Sequence, residues 1–178
     1  MKIGQFGRWD ATLGYAVVDE RTMRASAGLM LLLGVIAMIN GFVLSNYEVI
    51  PYISGFMMTN FLIGIFVNLE WAPTYFIAKR IVAKQTPLYI GAVQKRFAWG
   101  LGLLLTTGVF VLSFFLLQDV SYFENVCSLC LWCTIFVYLE SAFGICVGCK
   151  LYFLAIRLRL LKEPEIRPNC MGDACEVK

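Results

Sequence analysis

Four long apolar stretches constrain this chain of 178 residues more than any other feature. Crossing a bilayer as a helix takes about 20 apolar residues, and in lipid the backbone must satisfy its own hydrogen bonds. The chain is 60% hydrophobic and 15% charged, so it is more apolar and less charged than a typical soluble domain. The sequence therefore predicts an all-α integral membrane protein with four transmembrane helices, at about residues 25–44, 52–69, 97–117 and 126–153.

The distribution of charge predicts the orientation of these helices. The loops after the first and third helices are short, so neighbouring helices are expected to form an antiparallel bundle. All fifteen lysines and arginines fall in the N-terminal segment, the loop between helices two and three, or the region from Lys150 onward. Because positive charge stays on the cytoplasmic side, we expect both termini and this middle loop to be cytoplasmic, as in a protein of the inner membrane.

Three segments follow from this topology: a cytoplasmic N-terminal segment (1–24), a four-helix transmembrane domain (25–163) and a cytoplasmic, cysteine-containing tail (164–178). In the middle loop, "PTYFIAKRIVAK" alternates apolar and basic residues, which predicts an amphipathic helix at the inner membrane interface. The last helix is predicted to be long, from an N-cap at Asn125 to about Lys162, before Pro164 ends it.

The seven cysteines form three groups on this map. An odd number leaves at least one thiol without a partner in the chain, and the absence of histidine argues against haem. A C-x-x-C pair at the start of a helix favours redox chemistry, because unpaired backbone N–H groups stabilise a thiolate. The outer pair meets this condition on the predicted map, whereas the inner pair would lie deep in a continuous helix. The groups are Cys127, Cys130 and Cys133 at the outer end of the fourth helix, Cys146 and Cys149 near its inner end, and Cys170 and Cys175 in the tail.

Three interpretations of the cysteines remain open. They act in thiol redox chemistry, they bind a metal, or they pack as small apolar residues between membrane helices. In the second case four thiolates on the cytoplasmic side of the membrane would bind zinc or an iron–sulfur cluster. The four are Cys146, Cys149, Cys170 and Cys175.

One further residue is a candidate from its position alone. Glu140 lies within the fourth helix, and an ionisable group at membrane depth is costly and therefore a functional candidate. Asn60 in the second helix is its expected partner. The two are interpreted either as a proton relay or as a polar contact between packed helices.

Two stretches resemble a known family. "QKRFAWGLG" opens the third helix and "LESAFGICVGCKLY" closes the fourth, and residues 24–152 are similar to a bacterial membrane family, the domain of unknown function 4395. This resemblance implies four helices, a terminal cysteine pair at Cys146 and Cys149, a bacterial inner membrane, and an association with thioredoxin-like or sulfur-handling proteins. The outer cysteines and the pair Cys170 and Cys175 depart from the family pattern.

The sequence thus predicts a membrane thiol-redox or sulfur-relay protein. Its expected partners are the lipid bilayer and a thioredoxin-like or sulfurtransferase-like protein, with no nucleic acid, and an oligomer or a larger membrane complex is an open alternative. The predicted reactive cysteines are Cys146 and Cys149 as the inner site, Cys170 and Cys175 as a cytoplasmic thiol arm, and Cys127 with Cys130 as an outer pair. The alternatives are a metal- or iron–sulfur-binding subunit and a structural subunit whose cysteines only pack.

Overall fold

Six helices and a small sheet form the described part of the chain. The structure is a computed structural model, and it describes residues 6–161. The strands are β1 (Arg8–Asp10), β2 (Tyr15–Asp19) and β3 (Tyr89–Gly91). The helices are α1 (Glu20–Phe42), α2 (Val49–Leu62, continued by a π-helical turn at Ile63–Val67), α3 (Pro73–Ile81), α4 (Ala92–Gln118), α5 (Phe123–Phe143) and α6 (Val147–Arg157), with 3₁₀ turns at Leu69–Trp71 and Val120–Tyr122.

Four of these helices confirm the predicted membrane fold. The segments Glu20–Phe42, Val49–Val67, Ala92–Gln118 and Val120–Phe143 are long and apolar enough to cross a bilayer. Their mean hydropathies are 1.9, 1.6, 2.2 and 1.7, in that order. The chain is therefore a multi-pass membrane protein. The predicted amphipathic helix between the second and third spans corresponds to α3, which buries Tyr75 and Ala78 and exposes Phe76 and Ile77.

A three-stranded antiparallel sheet, which the sequence did not predict, lies at one end of the bundle. The strand order is β1-β2-β3, with Arg8 opposite Val17 and Val17 opposite Gly91. Since β2 leads directly into α1 and β3 into α4, the sheet brings the first turns of these two helices together. Asp19 caps α1 by accepting from the backbone N–H of Thr22 and also accepts from that of Leu88, at 2.9 Å. We call this end of the bundle the sheet end, and the opposite one the far end.

Helices α2 and α4 pack closely through paired glycines and aromatic rings. A Cβ on Gly64 would collide with the Trp99 ring, and a Cβ on Gly102 would lie 2.7 Å from the Phe61 ring. The two rings meet edge to face, with centroids 5.2 Å apart. Small residues at a membrane helix interface allow this approach, which brings dispersion contacts between helices. The buried core at the sheet end is built around this contact.

A buried ionic cluster joins three of the spanning helices near the sheet end. The ammonium group of Lys95 on α4 lies 2.9 Å from a carboxylate oxygen of Glu20 on α1 and 2.7 Å from one of Glu140 on α5. Lys95 is only 1% exposed, and Glu20 is buried as well. Charges withdrawn from water are costly unless they are paired at short range. Each of these charges therefore depends on the others, and they fix α1, α4 and α5 relative to one another.

The Asn60 side chain has a different partner from the one predicted. Its Oδ1 accepts from the backbone N–H of Thr74 at 2.9 Å and from the Thr74 hydroxyl at 3.0 Å, and Thr74 in turn bonds to Ser26. The predicted pairing of Asn60 with Glu140 is therefore wrong, because the first turn of α3 supplies closer donors. The fully buried Asn60 anchors α3 to the bundle.

The predicted long last helix is wrong in two places. Helix α5 begins at Phe123, so Asn125 lies inside it and is not the N-cap. The helix then ends at Phe143, and a separate helix, α6, follows from Val147. Gly144, in the left-handed conformation with φ +68°, redirects the chain between them.

We predict that Lys95→Met strongly destabilises the protein. The substitution removes the cation from the buried Glu20 carboxylate and the partly buried Glu140 carboxylate. Losing one partner of a buried ion pair costs about 3 to 5 kcal/mol. The measurement is the free energy of unfolding of the full chain in detergent micelles, followed by the loss of helical circular dichroism.

Lys79→Met is the matched control. Lys79 forms a 2.7 Å ion pair with Glu70, but both side chains are more than half exposed, at 56% and 52%. Exposed pairs contribute less than about 1 kcal/mol. An equal loss in the two variants would show that burial of the Lys95 cluster does not contribute to stability.

Candidate functional site

The turn between α5 and α6 creates the candidate site. Gly144 donates its backbone N–H to the carbonyl oxygen of Glu140 at 3.1 Å, and Ile145 donates to that of Leu139 at 3.0 Å. These bonds satisfy the last carbonyl groups of α5, and only glycine adopts the required left-handed conformation readily. The chain then turns and starts a new helix at Cys146. The site therefore lies at the junction where α5 ends and α6 begins.

Cys146 is the N-cap of α6, and its sulfur accepts from the backbone N–H of Cys149 at 3.2 Å. The two sulfur atoms lie at disulfide-bonding distance, and the Cα atoms are 5.2 Å apart. We predicted that this pair lies deep in a continuous helix, where no amide is free. That prediction is wrong, because the break at Gly144 puts Cys146 at a helix N-terminus. Free N–H groups and the positive end of the helix dipole there favour a thiolate.

The two thiols differ in their exposure. Cys146 is partly exposed, whereas Cys149 is only 7% exposed. Burial of Cys149 follows from the close packing of α6 on α4, where a Cβ on Gly148 would lie 2.6 Å from the Cβ of Ala98. Cys146 is therefore the more accessible sulfur of the pair.

A cation lies against the turn that carries the thiols. The Arg24 guanidinium donates to the backbone carbonyl of Ala142 at 3.3 Å and would lie 3.1 Å from a Cβ on Gly144. Arg24 therefore places a positive charge next to Gly144, which lies two residues before Cys146 in the chain. Arg24 is thus the charged group that contacts the turn, and it also favours a thiolate.

Glu140 connects this site to the ionic cluster. Its carboxylate bonds to Lys95, and its backbone carbonyl accepts from Gly144. Glu140 lies near the end of α5 and not at its middle. The position of the turn is therefore tied to α1 and α4 through side chains that are buried or nearly so.

The other predicted cysteines lie apart from this site. Cys127, Cys130 and Cys133 are on the first turns of α5 at the far end, and none of them forms a disulfide within residues 6–161. Cys127 is buried, and a Cβ on Gly41 would lie 3.6 Å from its sulfur, so it fills space between α1 and α5. Cys130 and Cys133 pack against the apolar core of the far end.

The predicted metal site remains untested. Cys170 and Cys175 lie outside the described residues. Within residues 6–161 no cluster of three or more histidine, cysteine, aspartate or glutamate side chains is arranged to hold a metal ion. The alternative in which zinc or an iron–sulfur cluster binds Cys146, Cys149, Cys170 and Cys175 therefore stays a prediction.

Sequence reasoning missed Glu20, Arg24 and Lys95. It assigned these residues to the cytoplasmic segments by their charge. Helical periodicity was an available signal, since Lys95 lies four residues before the buried Trp99 and hence on the same face of α4. No comparable signal in the sequence indicated which carboxylates would meet Lys95.

Comparisons with known proteins identify the family of the chain. The model of the family described as domain of unknown function (DUF4395) matches residues 18–157, well over half of the chain. No curated protein and no solved structure matches.

We predict that Gly144→Ala destabilises the turn. Alanine in the left-handed conformation costs about 1 to 2 kcal/mol, and its Cβ would lie against the Arg24 guanidinium at 3.1 Å. We expect a lower free energy of unfolding and a smaller oxidised fraction of Cys146 and Cys149 at a fixed glutathione ratio. Both are measured on purified protein, the second by mass spectrometry after alkylation.

Gly100→Ala is the control for this variant. A Cβ on Gly100 would meet nothing within 4 Å, and the residue lies in a regular stretch of α4. Alanine there is expected to stabilise the helix by about 0.5 to 1 kcal/mol without affecting the thiols. A Gly144→Ala variant that behaves like Gly100→Ala would disprove the role of the turn.

Proposed function

The chain belongs to the family of the domain of unknown function DUF4395, and we propose that it is a membrane thiol-redox protein whose reactive pair is Cys146 and Cys149. The observation that carries this proposal is the position of Cys146 as the N-cap of α6, with its sulfur at bonding distance from that of Cys149. A C-x-x-C pair at a helix N-terminus is the arrangement that favours thiolate chemistry.

The exposure of the two thiols supports a division of roles. In the exchange, a thiolate of the partner attacks the Cys146 sulfur of the site disulfide, and Cys149 leaves as a thiolate. The second partner thiolate then attacks its own sulfur in the mixed disulfide, which frees Cys146 and leaves the partner oxidised. Two electrons pass to the site, and both of its cysteines end reduced. The partner is a thioredoxin-like protein or, for sulfur relay, a sulfurtransferase-like one.

The location of the site follows from the distribution of charge. Basic residues gather at the sheet end, in α3, the loop after it and the first turns of α4, whereas the two loops at the far end carry none. By the positive-inside rule the sheet end faces the cytoplasm of a bacterial inner membrane, with both termini on that side. The cysteine pair then faces cytoplasmic partners, and Cys170 and Cys175 are a second thiol pair on the same side.

We predict that Cys149→Ser traps the partner and that Cys146→Ser does not. In Cys149→Ser the Cys146 thiolate attacks the disulfide of an oxidised partner, which is the reverse of the proposed exchange, and the mixed disulfide then lacks the Cys149 thiol that would release the partner. The test uses the full chain expressed in bacteria, quenched with acid and alkylated, with mixed disulfides resolved on non-reducing gels and identified by mass spectrometry.

The triple variant Cys127→Ser, Cys130→Ser, Cys133→Ser is the control. Since these residues lie at the far end, we expect trapping in the Cys149→Ser background to be unchanged. Equal trapping by Cys146→Ser and Cys149→Ser, or none in either, would refute the proposed roles.

A second prediction concerns Arg24. Arg24→Gln removes the cation beside the turn, so alkylation of Cys146 by iodoacetamide at neutral pH should slow about threefold or more in the reduced Cys149→Ser background. Arg21→Gln is the matched control, because Arg21 is an exposed arginine one turn earlier on α1. Arg24→Lys should retain most of the rate. An equal effect of the two glutamine variants would rule out a specific role for Arg24.

A further inference from the structure

A cavity lies between the spanning helices and extends to the backbone between the two cysteines of the site. Its volume is about 290 Å³, and the residues around it come from α1, α2, α4, α5 and α6. Most of its wall is apolar, with Met57, Phe61 and Trp99 on one side. The wall also includes Val147 and Gly148, which are the two residues between the cysteines, and Cys133 of α5. The first turn of α6, which carries the reactive pair, therefore forms part of the cavity wall.

The cavity connects to the surface that faces lipid. Leu104 borders it and is 70% exposed on a helix that crosses the membrane. A ligand can therefore enter laterally from the bilayer. This route of entry favours a lipid-soluble molecule. The volume is at the lower end of the range for ligand pockets. It suits one ring-sized head group, with any tail remaining in the bilayer.

One carboxyl group marks the polar end of the cavity. Among the described residues that line it, Glu140 is the one with a carboxyl group, and it is joined to the Lys95 ammonium at 2.7 Å. A ligand that fits must present an apolar body to Phe61 and Trp99. Near the Glu140 carboxylate, which accepts hydrogen bonds, it must present a polar group that carries a hydrogen in its reduced form. The ligand must also be able to react with the neighbouring pair of thiols, which can give up two electrons and two protons.

On this basis we propose that the cavity binds a lipid-soluble quinone, which is the electron acceptor for the Cys146–Cys149 dithiol. The inference rests on the proposed thiol-redox function and names the oxidant class that the function requires. Each thiol loses one proton and one electron as the S–S bond forms. The quinone takes up both electrons, its two carbonyl oxygens take up two protons, and it leaves as the quinol. The Glu140 carboxylate can accept one of the thiol protons and pass it to a quinone oxygen.

The test follows quinone reduction by the reduced full chain in lipid nanodiscs under anaerobic conditions. Decylubiquinone is the probe, its oxidised form is followed by ultraviolet absorbance, and thiols are counted by mass spectrometry. We expect one quinone to be reduced for each Cys146–Cys149 disulfide formed. In Leu104→Trp, which narrows the opening, the quinone concentration for half-maximal rate should rise about tenfold, as for 1.4 kcal/mol of lost binding.

Leu117→Trp is the control, since Leu117 is an exposed leucine of α4 that does not border the cavity. Partner trapping by Cys149→Ser is measured in the same backgrounds and should be unchanged by Leu104→Trp. No quinone reduction by protein that still traps partners would overturn the quinone site and leave the thiol function standing. Equal kinetics in Leu104→Trp and Leu117→Trp would also overturn it and assign the cavity to lipid acyl chains. Loss of trapping itself would refute the proposed function instead.

Discussion

The ammonium group of Lys95 holds the bundle together at the end where the chemistry is proposed. It lies between carboxylates of Glu20 and Glu140, so one cation joins the start of α1, the start of α4 and the end of α5. Charges in such a place are tolerated only because each is paired at short range. The cluster is therefore as much a constraint on geometry as a source of stability, since any shift of one helix would leave a charge unpaired.

The position of the thiol site depends on this cluster. Glu140 is bonded through its side chain to Lys95 and through its backbone to Gly144, and Cys146 follows two residues later. The same turn is held from α1 by Arg24. The cysteine pair lies at the junction of two helices. It is nevertheless held in place by contacts that involve α1, α4 and α5. Such support fits a site that must hold two sulfur atoms at bonding distance and expose only one of them.

The number and approximate positions of the spanning helices were predictable, but their limits differ by up to six residues at the start and ten at the end of the last one, and the break in that helix was not predicted. The apolar pattern continues through Phe143, Ile145 and Val147, so hydropathy gives no sign of a turn. Glycine is also frequent within membrane helices, which made Gly144 uninformative by itself. Only the bonds at the end of α5 and the contact of Gly148 with Ala98 reveal two helices in place of one. The sheet was missed because its strands have only three to five residues and lie next to spans with stronger patterns.

The sequence by itself determined that the chain crosses a membrane four times, because a bilayer allows few structures for apolar stretches of this length. It also determined which residue types were available for chemistry. The tertiary structure alone decided which of them meet. Lys95 and Glu140 are 45 residues apart, and Arg24 reaches a carbonyl 118 residues away. Such contacts depend on how helices pack, and local pattern carries no information about distant partners. For the same reason, the sequence did not show that Cys146 and Cys149 form a pair at a helix N-terminus. That position depends on the turn at Gly144.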